Sequence, residues 1–232
     1  MKSRARLDVA VAGGGVVGAA CALALARAGL QVALVEARPV PRWLAEQPDL
    51  RVYALAPDNA ALLDALGVWP QVLRARAQPY RKMRVWDAGG GDELAFDAAT
   101  LARDELGWIV ENGLLVDRLW AALVAAGVQV HCPARVQGME QDAAGVRQER
   151  DDGTRLEARV AVAADGGASE LRRLAGLDVD AHDYGQRGVV AFIETADPHQ
   201  ETAWQRFLPT GPLALLPFTQ GRSSIVWTLP EA

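Results

Sequence analysis

Short runs of apolar residues divide the first part of the chain into alternating elements. Residues 7–12 (LDVAVA) and 31–35 (QVALV) are short, almost entirely apolar and rich in valine, so each predicts a buried strand. Between them, residues 16–28 are rich in alanine and leucine and predict a helix, with Gly29 at the expected stop position. Together they predict a strand, a helix and a second strand within about 30 residues, the size of a βαβ unit.

The middle of the chain mixes helices with short strands. Pro57 opens a predicted helix over residues 57–66, because proline is tolerated in the first helical turn. A second helix is predicted over residues 114–126, with Asn112 as its cap. Three glycines at 89–91 separate the two strands of a predicted β-ribbon. The predicted strands are residues 81–87 and 93–97 of that ribbon, 128–131, 134–140, 145–149 and 158–163.

The texture of the sequence changes from about residue 184 onward. Apolar and polar residues alternate there in four runs that Pro/Gly turns separate, a pattern typical of antiparallel strands. The runs are residues 186–195, 202–208, 213–218 and 222–229. The sequence therefore predicts a mostly antiparallel sheet that forms a second domain.

Charge and composition exclude several classes of function. The 24 basic and 29 acidic residues give a net charge of −5, without the basic cluster that nucleic-acid binding requires. Cys21 and Cys132 are far apart, which argues against a disulfide scaffold, a zinc site and a dithiol centre and favours a reducing cytoplasm. The three histidines lack metal-ligand spacing, so no metal site is predicted, and the seven tryptophans are interpreted as packing residues. No signal peptide is evident, and glycines and Arg27 interrupt the apolar stretch over 7–35.

The glycines that follow the first strand point to a nucleotide. Gly13, Gly15 and Gly18 form a GxGxxG pattern between a predicted strand and a predicted helix. Glu36 ends the next strand, 36 − 18 = 18 residues beyond Gly18, which is close to the spacing of dinucleotide sites. In such a site the glycines permit a tight turn and close backbone approach to a pyrophosphate, while the acidic residue accepts hydrogen bonds from ribose hydroxyls. Glu36 would also repel a 2′-phosphate.

The motif alone fits either NAD or FAD. A nicotinamide-dependent dehydrogenase would continue with regular βαβ units, and it is one alternative for this chain. The chain instead enters an irregular stretch over residues 37–50 that contains three prolines, and then the predicted β-ribbon. This interruption favours FAD, whose long body needs loops from elsewhere in the chain.

Several segments resemble the flavin-dependent aromatic hydroxylases. Three of these segments are residues 13–36, 49–55 (DLRVYAL) and 163–176 (AADGGASELRRLAG). Four others are similar to the ubiquinone-biosynthesis hydroxylases, which act on polyprenylated phenols: residues 83–90 (MRVWDAGG), 110–112 (VEN), 183–191 (DYGQRGVVA) and 204–217 (WQRFLPTGPLALLP). The resemblance spans nearly the whole chain, and the last segment is its most specific part.

This resemblance implies a fold, a cofactor and further site residues. The implied fold is α/β: a Rossmann-like FAD-binding domain with a parallel sheet, over residues 1–80 and 108–176, and a mostly antiparallel substrate domain, over 81–107 and 177–232. In the family, the motif at Asp165 and Gly166 serves both FAD and the reduced nicotinamide. Arg51 lies in the segment that the family places beside the flavin, and Asn112 belongs to the VEN segment near the cofactor.

The chain departs from the family pattern at several positions. Gly113 stands where the family usually has a cofactor-holding arginine, Ala168 replaces an asparagine and Tyr53 replaces a serine. The family also carries a second Gly-Asp motif that would lie beyond residue 232. We therefore expect the parent protein to be longer, and we expect this chain alone to hold FAD weakly or not at all and to show no hydroxylase turnover.

The implied activity is hydroxylation of an electron-rich aromatic ring with FAD, NAD(P)H and O2. The cofactor carries the chemistry, so no catalytic acid or base is assigned. A polyprenylated phenol as substrate implies a cytoplasmic protein with peripheral contact at the inner membrane face or membership of a biosynthetic complex. The alternatives are a hydroxylase of another aromatic substrate and a flavin-free remnant that acts as an interaction subunit. The oligomeric state is not predicted.

Overall fold

The structure is a computed structural model that describes residues 6–40 and 42–231. Within these ranges the helices are α1 Val16–Arg27, α2 Pro57–Ala65, α3 Trp69–Arg76, α4 Asn112–Ala125, α5 Glu170–Leu174 and a 3-10 helix at Ala98–Leu101. The strands are β1 Leu7–Ala12, β2 Val32–Val35, β3 Val52–Leu55, β4 Gln78–Tyr80, β5 Lys82–Asp87, β6 Leu94–Asp97, β7 Gly107–Glu111, β8 Gln129–His131, β9 Val136–Asp142, β10 Gly145–Arg150, β11 Arg155–Ala163, β12 Gln186–Glu194, β13 Thr202–Leu208, β14 Gly211–Pro217 and β15 Arg222–Pro230.

The described residues fall into two compact units. The first unit comprises the residues up to Trp43, Ala65–Val68 and Leu115–Asp180. The second comprises Leu44–Asp64, Trp69–Leu114 and the residues from Ala181 onward. Compactness does not identify what a unit binds, so the assignment of an FAD domain and a substrate domain to the ranges given above stays a prediction.

The first unit is built on a six-stranded sheet with the order β8-β2-β1-β11-β10-β9. Its first four strands are parallel. Strand β10 pairs antiparallel with β11, and β9 pairs antiparallel with β10 at the sheet edge. Ala10 of β1 lies between Ala33 of β2 and Ala161 of β11 in the register. Strands β1 and β2 are almost completely buried, which explains why both are continuous apolar runs rather than alternating ones.

The predicted strand, helix, strand unit at the start of the chain is confirmed. Helix α1 ends within one residue of the predicted boundary, and Gly29 follows it with φ +87°. This left-handed conformation is the one that glycine adopts readily after a helix. Strands β1 and β2, which flank α1, are parallel neighbours in the sheet.

The second unit contains the antiparallel sheet predicted for the end of the chain. The strand order is β12-β15-β14-β13-β5-β6, and all neighbours are antiparallel except β13 and β5, which are parallel. Strands β5 and β6 form the ribbon predicted around the glycines at 89–91. The prediction of an α/β fold with a mostly antiparallel second sheet is therefore confirmed.

A second, three-stranded sheet in this unit was not predicted. Its order is β3-β7-β4, with β7 paired antiparallel to both neighbours. Strand β4 contains Pro79, and the strand lies at the sheet edge, where a residue without an N–H is tolerated. Helix α4 begins at Asn112, so the prediction that Asn112 caps a helix starting at 114 was wrong.

The helices are short compared with the thickness of a bilayer. A transmembrane helix needs about 20 apolar residues. Helix α4, with 14 residues, is the longest in the described part of the chain, and no helix there has the length and hydrophobicity for a membrane span.

One buried side chain in the first unit lacks the polar contacts that its burial requires. Gln148 of β10 is 0% exposed, and within the described residues its amide nitrogen and oxygen have no hydrogen-bond partner. Its register partners are Met139 and Leu156, of which Leu156 belongs to the apolar core. An unsatisfied buried amide lowers the free energy of unfolding.

Replacement of Gln148 by methionine should stabilise the chain. Methionine has a similar volume and no polar group to desolvate, so Gln148→Met should raise the free energy of unfolding by about 1–3 kcal/mol. Urea denaturation of the wild type and the variant measures this change. Gln141→Met, at an exposed position of β9, is the control and should have little effect. A destabilised Gln148→Met variant would show that the amide has a binding partner in solution.

Candidate functional site

The glycine turn after β1 is shaped by two very close backbone contacts. A Cβ atom on Gly13 would lie 2.2 Å from the carbonyl oxygen of Ala164, and Gly13 has φ +101°. A Cβ atom on Gly18 would lie 2.0 Å from the carbonyl oxygen of Gly13. Both positions therefore require glycine, because any side chain would overlap backbone atoms. The Gly18 contact holds the first turn of α1 against the end of β1, and the Gly13 contact holds the glycine turn against the residue that follows β11.

Gly15 lacks a side chain for a different reason. Among the described residues, no heavy atom other than those of Gly15 and its chain neighbours lies within 4 Å of a Cβ built on Gly15, so packing does not require glycine there. Gly15 caps α1, and within the described residues no side chain accepts a hydrogen bond at this cap and no acidic residue lies in the first turn. The amides of that turn and the positive end of the helix dipole form a site suited to a phosphate group. A side chain at position 15 would occupy the space that such a ligand needs.

Glu36 is attached to this turn by hydrogen bonds. Its Oε2 accepts from the Gly14 amide at 2.7 Å, and its Oε1 accepts from the Arg38 amide at 2.8 Å. The Arg38 guanidinium is 3.6 Å from the same Oε1, and the Glu36 side chain is only 12% exposed. Each carboxylate oxygen retains a second lone pair. Glu36 therefore lies beside the phosphate-type site in a fixed orientation and can still accept hydrogen bonds from a ligand hydroxyl.

Trp120 contacts the same turn and was missed as a site residue. Its indole nitrogen donates a hydrogen bond of 2.8 Å to the carbonyl oxygen of Gly14. A Cβ atom on Gly14 would lie 2.4 Å from Cζ2 of Trp120. The sequence carried one indication of this contact, since Gly14 is a third glycine that the GxGxxG pattern does not explain.

Asp165 and Gly166 lie in the turn between β11 and α5. Oδ1 of Asp165 accepts from the Ser169 hydroxyl at 2.5 Å, and Oδ2 accepts from the Leu171 amide at 3.1 Å. Burial raises the pKa of Asp165, but the hydrogen bonds from Ser169 and from backbone amides outweigh it and hold the pKa below its ordinary value. Gly166 has φ +95°, a conformation that favours glycine. The Asp165 carboxylate is thus an ionised acceptor at the carboxyl end of β11.

Arg172, in α5, has hydrogen-bond partners close by in the chain. Its Nη1 donates to the carbonyl oxygen of Gly167 at 3.1 Å. Its amide donates to the Ser169 hydroxyl at 3.0 Å, so Ser169 caps α5. Both contacts stabilise the turn between β11 and α5.

Arg51 and Asn112 are brought together in the second unit. The Asn112 amide donates to the Arg51 carbonyl oxygen at 2.9 Å. Oδ1 of Asn112 accepts from the Tyr53 hydroxyl at 3.3 Å, and the Arg51 guanidinium carbon lies 5.6 Å from the centre of the Tyr53 ring. Arg51 itself is exposed. These residues form one hydrogen-bonded cluster at the start of α4, in which the arginine remains accessible.

Asp49 holds this cluster from a distant part of the chain. Its Oδ2 accepts from the Gly113 amide at 2.9 Å and from the Asn112 side chain at 3.3 Å. The Asp49 amide donates to Oε1 of Glu111 at 2.9 Å, and Glu111, which is fully buried, forms an ion pair with Arg76 at 3.2 Å. Asp49 therefore provides the acceptor at the start of α4 that the sequence analysis assigned to Asn112.

The predicted site residues thus divide between the two units. Six of them lie in the first unit, around the ends of β1, β2 and β11: Gly13, Gly15, Gly18, Glu36, Asp165 and Gly166. Arg51 and Asn112 lie in the second unit.

Comparison with known protein families assigns residues 6–231 to a model described as an FAD binding domain. Among curated proteins, the chain is 35% identical over 222 residues to the 3-demethoxyubiquinol 3-hydroxylase of Escherichia coli, covering 95% of this chain and 56% of that protein. It is 37% identical over 228 residues to the ubiquinone hydroxylase UbiL of Rhodospirillum rubrum, covering 95% and 51%. It is 34% identical to the human mitochondrial ubiquinone biosynthesis monooxygenase COQ6, covering 95% and 50%. The chain spans about half the length of these relatives.

Solved structures share the fold. The Pseudomonas aeruginosa protein PqsL, in complex with 2-aminobenzoylacetate, superposes with a TM-score of 0.80 at 24% identity, over 97% of this chain and 61% of PqsL. Klebsiella pneumoniae HpxO, complexed with FAD and uric acid, superposes with a TM-score of 0.75 at 21% identity, over 97% of this chain and 57% of HpxO.

The ionised Asp165 predicts a specific dependence of stability on pH. Because the pKa of Asp165 is lower in the folded chain than its unfolded value of about 3.9, its contribution to stability is present above that pH and is lost as the pH falls through the folded value. Asp165→Asn should therefore lower Tm at neutral pH, and the difference from the wild type should shrink in acid. Thermal melts from about pH 7 to about pH 2 measure this.

Ser169→Ala tests whether the Ser169 hydroxyl lowers the pKa of Asp165. The variant removes the hydroxyl donor and retains the carboxylate, so part of the acid-sensitive stability should be lost. If the difference in Tm between Asp165→Asn and the wild type stays constant from about pH 7 to about pH 2, the lowered pKa of Asp165 in the folded chain is contradicted.

Proposed function

The chain belongs to the family of FAD-binding domains, and from this premise we propose that it supplies the dinucleotide site of an FAD-dependent aromatic hydroxylase of ubiquinone biosynthesis. The observation that carries the proposal is the open space at Gly15. It lies at a helix terminus without a side-chain cap among the described residues, beside the fixed carboxylate of Glu36. This combination fits the phosphate and ribose groups of a dinucleotide.

The residues of the first unit fit the adenosine half of FAD. The amides at the start of α1 would bind the pyrophosphate, because no side chain of the described residues caps them, the Cβ position of Gly15 is open, and they carry the positive end of the helix dipole. Glu36 would accept hydrogen bonds from the adenosine ribose. Gly13 and Gly18 make no contact with the ligand in this scheme, and their role is to let the turn approach it.

The remaining predicted residues would serve the other half of the cofactor. We assign Asp165 and Gly166 to ribityl or ribose hydroxyls, because the ionised carboxylate has lone pairs left to accept them. Arg51 and Asn112 would lie beside the flavin, and the exposed guanidinium of Arg51 is available for that contact. Bound FAD would supply electron transfer from NAD(P)H and the activation of O2, while these side chains bind and orient it.

The substrate is proposed from the relatives. The curated relatives are named for hydroxylation in ubiquinone biosynthesis, and the chain is 34–37% identical to the three cited above. We propose a polyprenylated phenol, hydroxylated with NAD(P)H and O2, and we place its ring against the antiparallel sheet of the second unit. Such an apolar substrate favours peripheral contact at the inner membrane face or transfer within a biosynthetic complex, both on the cytoplasmic side.

Titration with nucleotides tests the dinucleotide site in this chain. ADP carries the adenosine ribose and pyrophosphate without the flavin, so we expect calorimetry to detect saturable ADP binding at millimolar concentrations or below. We also propose, as the resemblance in the sequence leads us to expect, that FAD binds weakly to this chain. Tightly bound, stoichiometric flavin in the purified chain would contradict this expectation, and the absence of any ADP binding would contradict the site itself.

Glu36→Gln should weaken the binding of ADP. The amide cannot accept from both backbone N–H groups and a ribose hydroxyl as the carboxylate does, and a lost hydrogen bond to a charged group corresponds to roughly a tenfold or larger rise in Kd. Calorimetric titration of the variant with ADP measures this. Glu46→Gln, at an exposed glutamate of the second unit, is the matched control. A Kd that stays within about twofold of the wild type would rule out Glu36 as the ribose anchor.

A further inference from the structure

We infer that Trp120 is a positioning residue of the dinucleotide site, which orients the glycine turn through the Gly14 peptide without touching the ligand. The inference rests on the proposed function only in taking the turn as a phosphate site. Trp120 lies on α4, 106 residues away from Gly14 in the sequence, and is 7% exposed.

The hydrogen bond to Gly14 uses the only hydrogen-bonding group of the Trp120 indole, its N–H. A tryptophan side chain has one N–H donor and no acceptor. That donor is 2.8 Å from the Gly14 carbonyl oxygen, in a buried position where water does not compete. This bond satisfies the donor that burial would otherwise leave unpaired, and it fixes the direction of the Gly14 carbonyl.

Gly14 is held on both of its polar groups. Its N–H donates to Oε2 of Glu36 at 2.7 Å, and its carbonyl accepts from Trp120. Three consecutive glycines form an intrinsically flexible stretch of backbone, because glycine has a much larger range of allowed conformations than other residues. Two hydrogen bonds on the middle residue restrict the orientation of the peptide units on either side of it.

Because the peptide unit is planar, the restraint on the Gly14 carbonyl also fixes the direction of the Gly15 N–H. The Gly14 carbonyl and the Gly15 N–H belong to one planar trans peptide unit, in which the two bonds point in opposite directions. When Trp120 fixes the carbonyl on the protein side, the Gly15 N–H is directed away from the protein. Gly15 is the residue whose Cβ position faces open space, at the cap of α1. Trp120 therefore orients an amide that would bind a phosphate.

The ring also explains why residue 14 is a glycine. A Cβ atom there would lie 2.4 Å from Cζ2 and 3.2 Å from Cε2 of the indole. The two positions are thus complementary in shape: the indole occupies the volume that a side chain on residue 14 would otherwise fill.

Trp120→Phe separates the N–H group from the ring. The variant keeps an aromatic ring of similar position and removes the donor, so the Gly14 amide, whose hydrogen bond to Glu36 depends on this orientation, should exchange with solvent at least tenfold faster in nuclear magnetic resonance measurements. The Kd for ADP should rise about tenfold. The matched control is Trp69→Phe, which removes a buried indole of the second unit that is 8% exposed and contacts Trp108. It should lower Tm and leave both the exchange rates at the turn and the Kd unchanged.

A pair of substitutions tests the complementarity in shape. Gly14→Ala and Trp120→Leu should each lower Tm, and the double variant should lose less than the sum of the two changes, because the methyl group then enters the space left by the indole. Additive losses would contradict the steric part of the inference.

The outcomes separate this inference from the proposed function. Unchanged exchange of the Gly14 amide in Trp120→Phe would overturn the positioning role, whether or not the chain binds ADP. Faster exchange in a chain that binds no ADP would support the positioning of the turn and reject the nucleotide as its ligand. Faster exchange together with weaker ADP binding, and neither effect in Trp69→Phe, is the expected result.

Discussion

Helix α1 lies so close to the end of strand β1 that a side chain on Gly18 would overlap the Gly13 carbonyl, and Gly13 in turn lies against the carbonyl of Ala164, which follows β11. This close approach is the constraint on which the rest of the site depends. It puts the free amides of α1 at the carboxyl end of a buried parallel strand, where the neighbouring strand presents Glu36. The edge of a parallel sheet at this point is where α/β proteins commonly bind nucleotides. The same geometry leaves the space at Gly15 empty of protein atoms.

The sequence predicted the elements whose signals are local. Strands β1 and β2 are buried on both faces, so their apolar runs are continuous and easy to recognise. The bounds of α1 follow from its composition and from Gly29. The spacing between Gly18 and Glu36 predicted a carboxylate beside the glycine turn, and the hydrogen bond from Gly14 places it there. The alternating runs after residue 184 predicted the antiparallel sheet for the same reason, since alternation is a property of each strand alone.

Contacts between distant segments could not be predicted from local patterns. Asp49 accepts from the Gly113 amide, 64 residues further along the chain, and nothing near Asp49 indicates this. The three-stranded sheet pairs short strands, one of which contains Pro79, so none of them shows a clear strand pattern. Trp120 was interpreted, together with the other tryptophans, as a packing residue because no basic strip interleaves them. Its second role depends on a hydrogen bond to Gly14 that only the fold brings about.

We propose that residues of the first unit alone recognise the adenosine half of the cofactor. Titration of the isotopically labelled chain with ADP, observed through backbone amide chemical shifts, tests this most directly. We expect the largest changes in chemical shift at the amides from Gly13 to the first turn of α1 and at Glu36, with small changes elsewhere. Shifts concentrated in the second unit, or an unchanged spectrum at saturating ADP, would contradict it.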